Sequence, residues 1–301
     1  MNRKVVILIF AHKPTLQWYE AIGLEQCFRV LGHHPIRLVC PTGLDVSAYR
    51  RITPALEVDF VPSHWLASYR AYNRMKILPF LYERYAAYEF LLTYELDAFV
   101  FKNELEDWCE QAWDYIGAPW FDGHNNARRD AAPIGVGNGG FSLRRISTML
   151  RVMHSWKAIR PTLNVYSEWR SCTDRLPRGL WRLLGNLIWR NCFHHYLNRF
   201  SENEDIFWSC AGDRIAGFRL APYQVARHFS FEVNPERLFL ECGNKLPFGC
   251  HKWMEYQPDF WRPLIEAEGY RWLAAGGNAA ENVEADASNR SRTAAAADRL
   301  N

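Results

Sequence analysis

Phe90-Leu91-Leu92-Thr93-Tyr94-Glu95-Leu96-Asp97-Ala98-Phe99-Val100-Phe101 is the stretch from which the rest of the chain is best read. Its apolar run does not alternate with polar residues, as expected of a strand buried on both faces, and such strands belong to parallel sheets covered by helices. Two carboxylates at i and i+2 interrupt the run before it resumes. Acids at the end of such a strand stand at the mouth of the sheet, where α/β proteins bind ligands. There they can hold Mg²⁺ or Mn²⁺, or simply be solvated at a strand end.

Upstream the pattern agrees. Residues 5–11 read as a buried strand and 15–31 as a helix stopped at Gly32. Residues 36–40 resume as a strand that ends at Pro41-Thr42-Gly43. Strand–helix–strand is how a Rossmann-like parallel sheet begins. Residues 69–88 have helical spacing, which Pro79 must kink or divide. Residues 141–160 read as a second strand-to-helix passage. The expected fold is therefore α/β, a mostly parallel central sheet flanked by helices, in one domain over residues 1–273.

With 49% hydrophobic residues among 301, the chain can bury a large core, and a net charge of +3 argues against a nucleic-acid partner. The eight cysteines form no C-x-x-C pair and read as buried thiols in a reducing compartment rather than a disulfide framework. The apolar run at 5–11 is too short to span a bilayer, and no small-residue cleavage site follows it, so a cytoplasmic protein is expected. Thirteen Trp residues suit sugar faces but also suit a core. Residues 156–200 are rich in Lys, Arg and Trp, a helical basic insertion or lid. The amphipathic part around Trp181 and Trp189 has the composition of a segment resting on an anionic membrane surface, which predicts weak peripheral association at the inner face. Residues 274–301 lack large apolar side chains and are expected to be a disordered tail.

Three further motifs carry chemistry. Gly135-Val136-Gly137-Asn138-Gly139-Gly140-Phe141-Ser142 lets the backbone approach a ligand closely but fits neither a Walker A loop nor a dinucleotide fingerprint. Glu202-Asn203-Glu204-Asp205-Ile206 is either a helix N-terminus or the source of a general base. Pro247-Phe248-Gly249-Cys250-His251 offers a late histidine, packed or metal-ligating.

In this order the motifs resemble those of GT-A glycosyltransferases. Tyr72-Asn73-Arg74-Met75-Lys76 leading into Glu95-x-Asp97 resembles the approach to their DxD motif, although the first acid there is normally Asp. Gly139-Gly140-Phe141-Ser142-Leu143 and Glu204-Asp205-Ile206-Phe207 are similar to later segments of the β-galactosyltransferase-like families. Asp114-Tyr115-Ile116-Gly117-Ala118-Pro119-Trp120 and Pro247-Phe248-Gly249-Cys250-His251 look closer still to a largely uncharacterised group of microbial glycosyltransferases. The resemblance implies transfer from a nucleotide-diphosphate sugar, a UDP-sugar by preference, to a hydroxyl of a glycan or lipid-linked glycan, with inversion and with Mn²⁺ or Mg²⁺ as cofactor. It implies Asp97, Glu95 and His251 as metal ligands, Asp205 as catalytic base and Glu204 as an acceptor contact. Asn138, Gly139 and Gly140 would line the donor and acceptor pocket, with Arg74 and Lys76 as phosphate contacts or ordinary helix-surface charges. The rival readings are a non-catalytic sugar- or nucleotide-binding protein on the same fold and a sugar nucleotidyltransferase. The latter should carry a glycine-rich, Arg-containing loop after the first strand, where this chain has His12-Lys13-Pro14-Thr15.

Overall fold

The computed structural model describes residues 3–155, 192–211 and 215–273. The tail at 274–301 and most of the basic insertion, including Trp181 and Trp189, lie outside them. The chain runs β1 (Arg3–Phe10), α1 (Trp18–Leu31), β2 (Ile36–Pro41), α2 (Ser47–Ile52), β3 (Glu57–Val61), α3 (Tyr69–Lys76), α4 (Pro79–Arg84), β4 (Tyr88–Tyr94) and β5 (Ala98–Val100). It continues through α5 (Leu105–Glu110), β6 (Tyr115–Ile116), β7 (Ala118–Phe121), β8 (Pro133–Gly137), β9 (Phe141–Arg145) and α6 (Ile146–Met153). After the insertion come α7 (Phe193–Arg199), α8 (Glu204–Ala211), α9 (Tyr223–Phe229), β10 (Ser230–Phe231), α10 (Pro235–Glu241), β11 (Gly249–His251) and α11 (Pro258–Ala267).

Six strands form the central sheet in the order β3-β2-β1-β4-β9-β6. β1 pairs parallel with β2 and β4, and β2 parallel with β3, whereas β9 runs antiparallel to β4 and β6. The fold is thus α/β with a mostly parallel sheet, as the apolar runs predict. Successive residues of β1 enter opposite cores: Val5, Ile7 and Ile9 on one face, Val6, Leu8 and Phe10 on the other. That is why the run cannot alternate in polarity.

Pro79 divides the predicted helix over 69–88 rather than kinking it. Leu78 is extended, Pro79 opens α4 in the first turn, where a missing N–H costs nothing, and the residues after Arg84 turn into β4. Ser68 caps α3, its Oγ accepting from Ala71 N–H at 3.2 Å.

Two features of this sheet position the site. β1 leads to β2 on one side and has β4 on the other, so strand order reverses between β1 and β4, and the crevice beyond their C-terminal ends is where such folds take ligands. Ile9 pairs with Tyr94, so Glu95 and Asp97 follow directly at that edge. A second sheet, β10-β11-β5, is joined antiparallel through Cys250 opposite Phe99 and His251 opposite Ala98. Behind it lies a third core containing Trp18, Phe99, Trp253 and Trp261, so much of the tryptophan content is packing.

Candidate metal and sugar-transfer site

Register brings the late histidine to the early acids. His251 lies opposite Ala98, one residue past Asp97, and Lys252 N–H donates to the Asp97 carbonyl at 3.0 Å. The ligand atoms of Glu95, Asp97 and His251 all lie within 4.8 Å of one another. His251 Nε2 is buried and faces Asp97 Oδ1 at 3.1 Å and Glu95 Oε2 at 3.5 Å. His251 Nδ1 is 2.9 Å from Glu232 Oε1. A carboxylate on Nδ1 would fix the tautomer in which the Nε2 lone pair faces a cation, should one replace the Nε2 proton. Burial opposes a charged imidazole here, but Asp97, with the hydrogen-bonding carboxylates of Glu232 and Glu95, holds the His251 pKa well above its ordinary value. Three carboxylates around one imidazole make a place for positive charge. Oxygen donors and one imidazole suit a hard divalent ion such as Mg²⁺ or Mn²⁺.

Gly140 makes this possible. A Cβ there would stand 2.0 Å from His251 Nε2, so only glycine lets the loop pass the ring. The same residue ties the loop to the acids, its carbonyl accepting from Glu95 N–H at 2.7 Å.

A buried charge network backs the site. Lys76 Nζ lies 3.3 Å from Glu95 Oε1, 3.2 Å from Glu204 Oε1 and 3.0 Å from the Gly139 carbonyl. Arg144 donates to Glu204 Oε1 at 2.7 Å, and both of these side chains are fully buried. Tyr72 O–H donates to Glu95 Oε1 at 2.6 Å. Burial alone would raise the Glu95 pKa, but Lys76, His251 and Tyr72 hold it below the usual carboxylate range. Glu95 is therefore a charged carboxylate with one oxygen committed and one turned to His251.

Asp205, beside Glu204 in the first turn of α8, behaves differently. Its Oδ2 accepts from Gly139 N–H at 3.1 Å. Burial, and next the Glu204 charge, push its pKa up to about 6. A carboxylate poised near neutrality is suited to general-base work.

Two clefts meet at the acids. One, of about 530 Å³, is bounded by Asp205, Gly139, Gly140, His251, Glu95 and Trp120. The other, of about 440 Å³, lies at the strand-order reversal beside Phe10, His12, Glu20, Leu96 and Asp97. Glu95 and Tyr72 belong to both.

The structure gathers Glu95, Asp97, His251, Asn138, Gly139, Gly140 and Asp205 here. Three others are held by partners of their own. Arg74 does not reach the clefts at the acids: its guanidinium donates to the carbonyls of Leu197 and Asn198, covering orphan acceptors at the end of α7. Lys76 is not a surface charge: it lines the larger cleft with its ammonium held by Glu95, Glu204 and the Gly139 carbonyl. Glu204 is not an acceptor contact, because its carboxylate lies in the core against Arg144 and Lys76. Asn138 has φ 129° and lines the cleft, but its Oδ1 is spent on Gly140 N–H at 2.8 Å and Phe141 N–H at 3.1 Å. Sequence reasoning missed Glu232, Arg144 and Tyr72. Tyr72, four residues before Lys76 on α3, carried a findable helical-face signal; Glu232 and Arg144 carried none.

A family profile matches residues 55–251, more than half of the chain, running from just before β3 to His251 itself. The chain belongs to the DUF5672 family. That family is described as proteins of unknown function, and its matched segment contains every candidate ligand and network residue named above. No curated protein matches this DUF5672 chain. Among solved structures it is similar to the galactosyltransferase LgtC in complex with donor and acceptor sugar analogues, at 14% identity, 87% of this chain and 95% of that chain covered, TM-score 0.45. It is similar to mouse xyloside xylosyltransferase 1 at 12% identity, with 82% and 97% covered and TM-score 0.43. A cytidylyltransferase from Leptospira borgpetersenii shares 11% identity over 96% of each chain, at TM-score 0.35.

Proposed function

We propose that this chain is a divalent-metal-dependent glycosyltransferase of the GT-A type. It moves a sugar from a nucleotide-diphosphate donor, a UDP-sugar by preference, to a hydroxyl of a glycan or glycolipid, with inversion. The observation that carries the reading is the meeting of two clefts at Glu95, Asp97 and His251, with Asp205 poised near neutrality in the larger one.

The nucleotide belongs in the cleft at the strand-order reversal and the donor sugar in the cleft with Asp205. Glu95, Asp97 and His251 Nε2 would hold Mn²⁺ or Mg²⁺, which would act as a Lewis acid and offset the charge of the departing diphosphate. Asp205 accepts the proton of the acceptor hydroxyl while the hydroxyl oxygen bonds the anomeric carbon. The bond from that carbon to the diphosphate breaks, and its electron pair leaves with the phosphate. Gly139 N–H aims the Asp205 carboxylate. Glu204, Arg144 and Lys76 hold the helix start and the glycine loop in register.

Among the described residues no helix is long and apolar enough to cross a membrane. A lipid-linked acceptor and weak association with the inner membrane face belong to the proposal through the basic segment around Trp181 and Trp189.

Thermal stability of the full chain with UDP-sugars, with Mn²⁺ or with chelator, tests the reading. A donor at 100 times its dissociation constant adds about 2.7 kcal/mol. A shift that needs metal is expected. No shift with any nucleotide-sugar, or one indifferent to chelator, would overturn the metal-dependent reading.

A further inference from the structure

Trp18, Trp208, Trp253 and Trp261 are core residues, but Trp120 is partly exposed and lines the Asp205 cleft. Its place is prepared from beneath. A Cβ on Gly137 would stand 2.0 Å from Trp120 Cζ2 and 2.3 Å from Cε2, so the indole lies flush on bare backbone. The β7–β8 ladder, Trp120 opposite Gly135 and Ala118 opposite Gly137, fixes that stacking. Two residues beyond Gly137, Gly139 N–H holds Asp205. Two residues of chain span at most ~7 Å, so the backbone under the indole and the backbone that holds the carboxylate are close neighbours in the wall of one cleft.

The turn after β7 completes the wall. Gly123 at φ 86° and His124 at φ 48° bend it back, and the His124 ring meets Trp120 edge-on at 5.7 Å. The loop is pinned from behind: Asn234 donates to the Arg128 carbonyl at 3.0 Å, and Arg237 to that of Ala131 at 2.6 Å. Asn125 and Asn126 line the cleft with side-chain amides that make no hydrogen bond to any described residue. The neighbouring cations are spent, Arg128 on Asp130, Arg129 on Glu236 and Lys252 on Glu255. What remains is an apolar ring face edged by neutral amides beside a base. That combination matches an uncharged pyranose, with C–H groups on one face and hydroxyls at its rim.

We propose that Trp120, with Asn125 and Asn126, is the platform for a neutral pyranose at the acceptor end, turning one of its hydroxyls toward Asp205. The inference rests on the transferase reading for its link to Asp205 but can be tested without turnover. Saturation-transfer NMR on the full chain would use methyl glucoside, methyl galactoside and methyl N-acetylglucosaminide as probes, with glucose 1-phosphate and glucuronate as charged comparisons.

At least one neutral glycoside should bind saturably. Trp120→Ala should weaken it about tenfold, the scale of one aromatic contact, and Trp120→Phe should recover most of the loss. Gly137→Ala, which drives a methyl into the indole, should weaken binding without removing any polar group. Melting curves establish that each variant is folded. Should Trp120→Ala lose its fold, Trp120→Phe and Gly137→Ala still decide. Absence of glycoside binding, binding indifferent to both Trp120 and Gly137, or preference for the charged sugars would overturn the platform. Metal-dependent nucleotide-sugar binding by the parent chain is read separately. Its failure sinks the transferase reading and leaves a Trp120-dependent sugar site standing.

Discussion

Two acid pairs meet at this site, and Lys76 touches one member of each. Glu95 and Asp97 occupy the turn between β4 and β5, whereas Glu204 and Asp205 open α8. At the turn, a spacing of two leaves both carboxylates on the His251 side, and both remain available to a cation. At the helix start, adjacent residues point about 100° apart. One acid must enter the core while the other faces the cleft. Glu204 goes inward to Arg144 and Lys76, and Asp205 outward to the loop glycines. The same residue chemistry thus yields two candidate ligands in one place and one buried anion plus one proposed base in the other.

The strongest way to break this comparison is Asp205→Asn. If Asp205 is the base, transfer should fall by about 10²–10⁴-fold with donor affinity nearly unchanged. The wild-type rate should rise with pH through about 6 and then level off, since the base acts when deprotonated. Stability gives a second reading with its own sign. The folded pKa exceeds the ordinary aspartate value of 3.8, so ionising Asp205 costs stability as pH rises between those values. Asp205→Asn should therefore melt higher than wild type above that range, by about 1–3 kcal/mol. A variant that keeps its rate would return Asp205 to being a helix-start acid and nothing more.

Glu204→Gln should do the opposite. It leaves Arg144 and Lys76 buried without their shared anion, a loss on the order of 3–5 kcal/mol measurable by denaturant unfolding. An unchanged unfolding midpoint paired with a changed acceptor KM would restore Glu204 to the acceptor-binding role implied by sequence.

Asp97→Asn sharpens the turn half of the comparison. Metal-dependent donor binding should fall by about 10²-fold in Mn²⁺ and hardly move in chelator, because the charge holding the ion is gone while the shape is kept. Equal affinity with and without metal in the parent would dissolve the triad as a ligand set. Smallest is Glu232→Gln, which should weaken metal affinity by about 10–100-fold through loss of His251 orientation. Calorimetric titration with Mn²⁺ reads it, and an unchanged affinity would leave Glu232 a bystander.

Much of the framework could be read without coordinates. The unbroken apolar runs gave buried parallel strands, Pro79 marked a helix boundary, and the break at Glu95 and Asp97 stood out because carboxylates are costly beside buried strands. What could not be read is the fate of charges whose partners are distant in sequence. Arg74 and Lys76 are two residues apart on one helix, yet one is tied to α7 carbonyls and the other buried against two acids and a backbone carbonyl from three other segments.

The sequence by itself determined the fold class, the position of the acids at the sheet edge and the density of glycine that a crowded site needs. Local composition and periodicity suffice for these because each depends on neighbours along the chain. Tertiary structure alone decided that His251 joins Glu95 and Asp97, that Glu232 orients it, that Glu204 is structural while Asp205 faces the cleft, and that Trp120 lies on Gly137. Each of those depends on strand register or on the rotation of a helix. A shift of one residue in either would turn the side chain to another face.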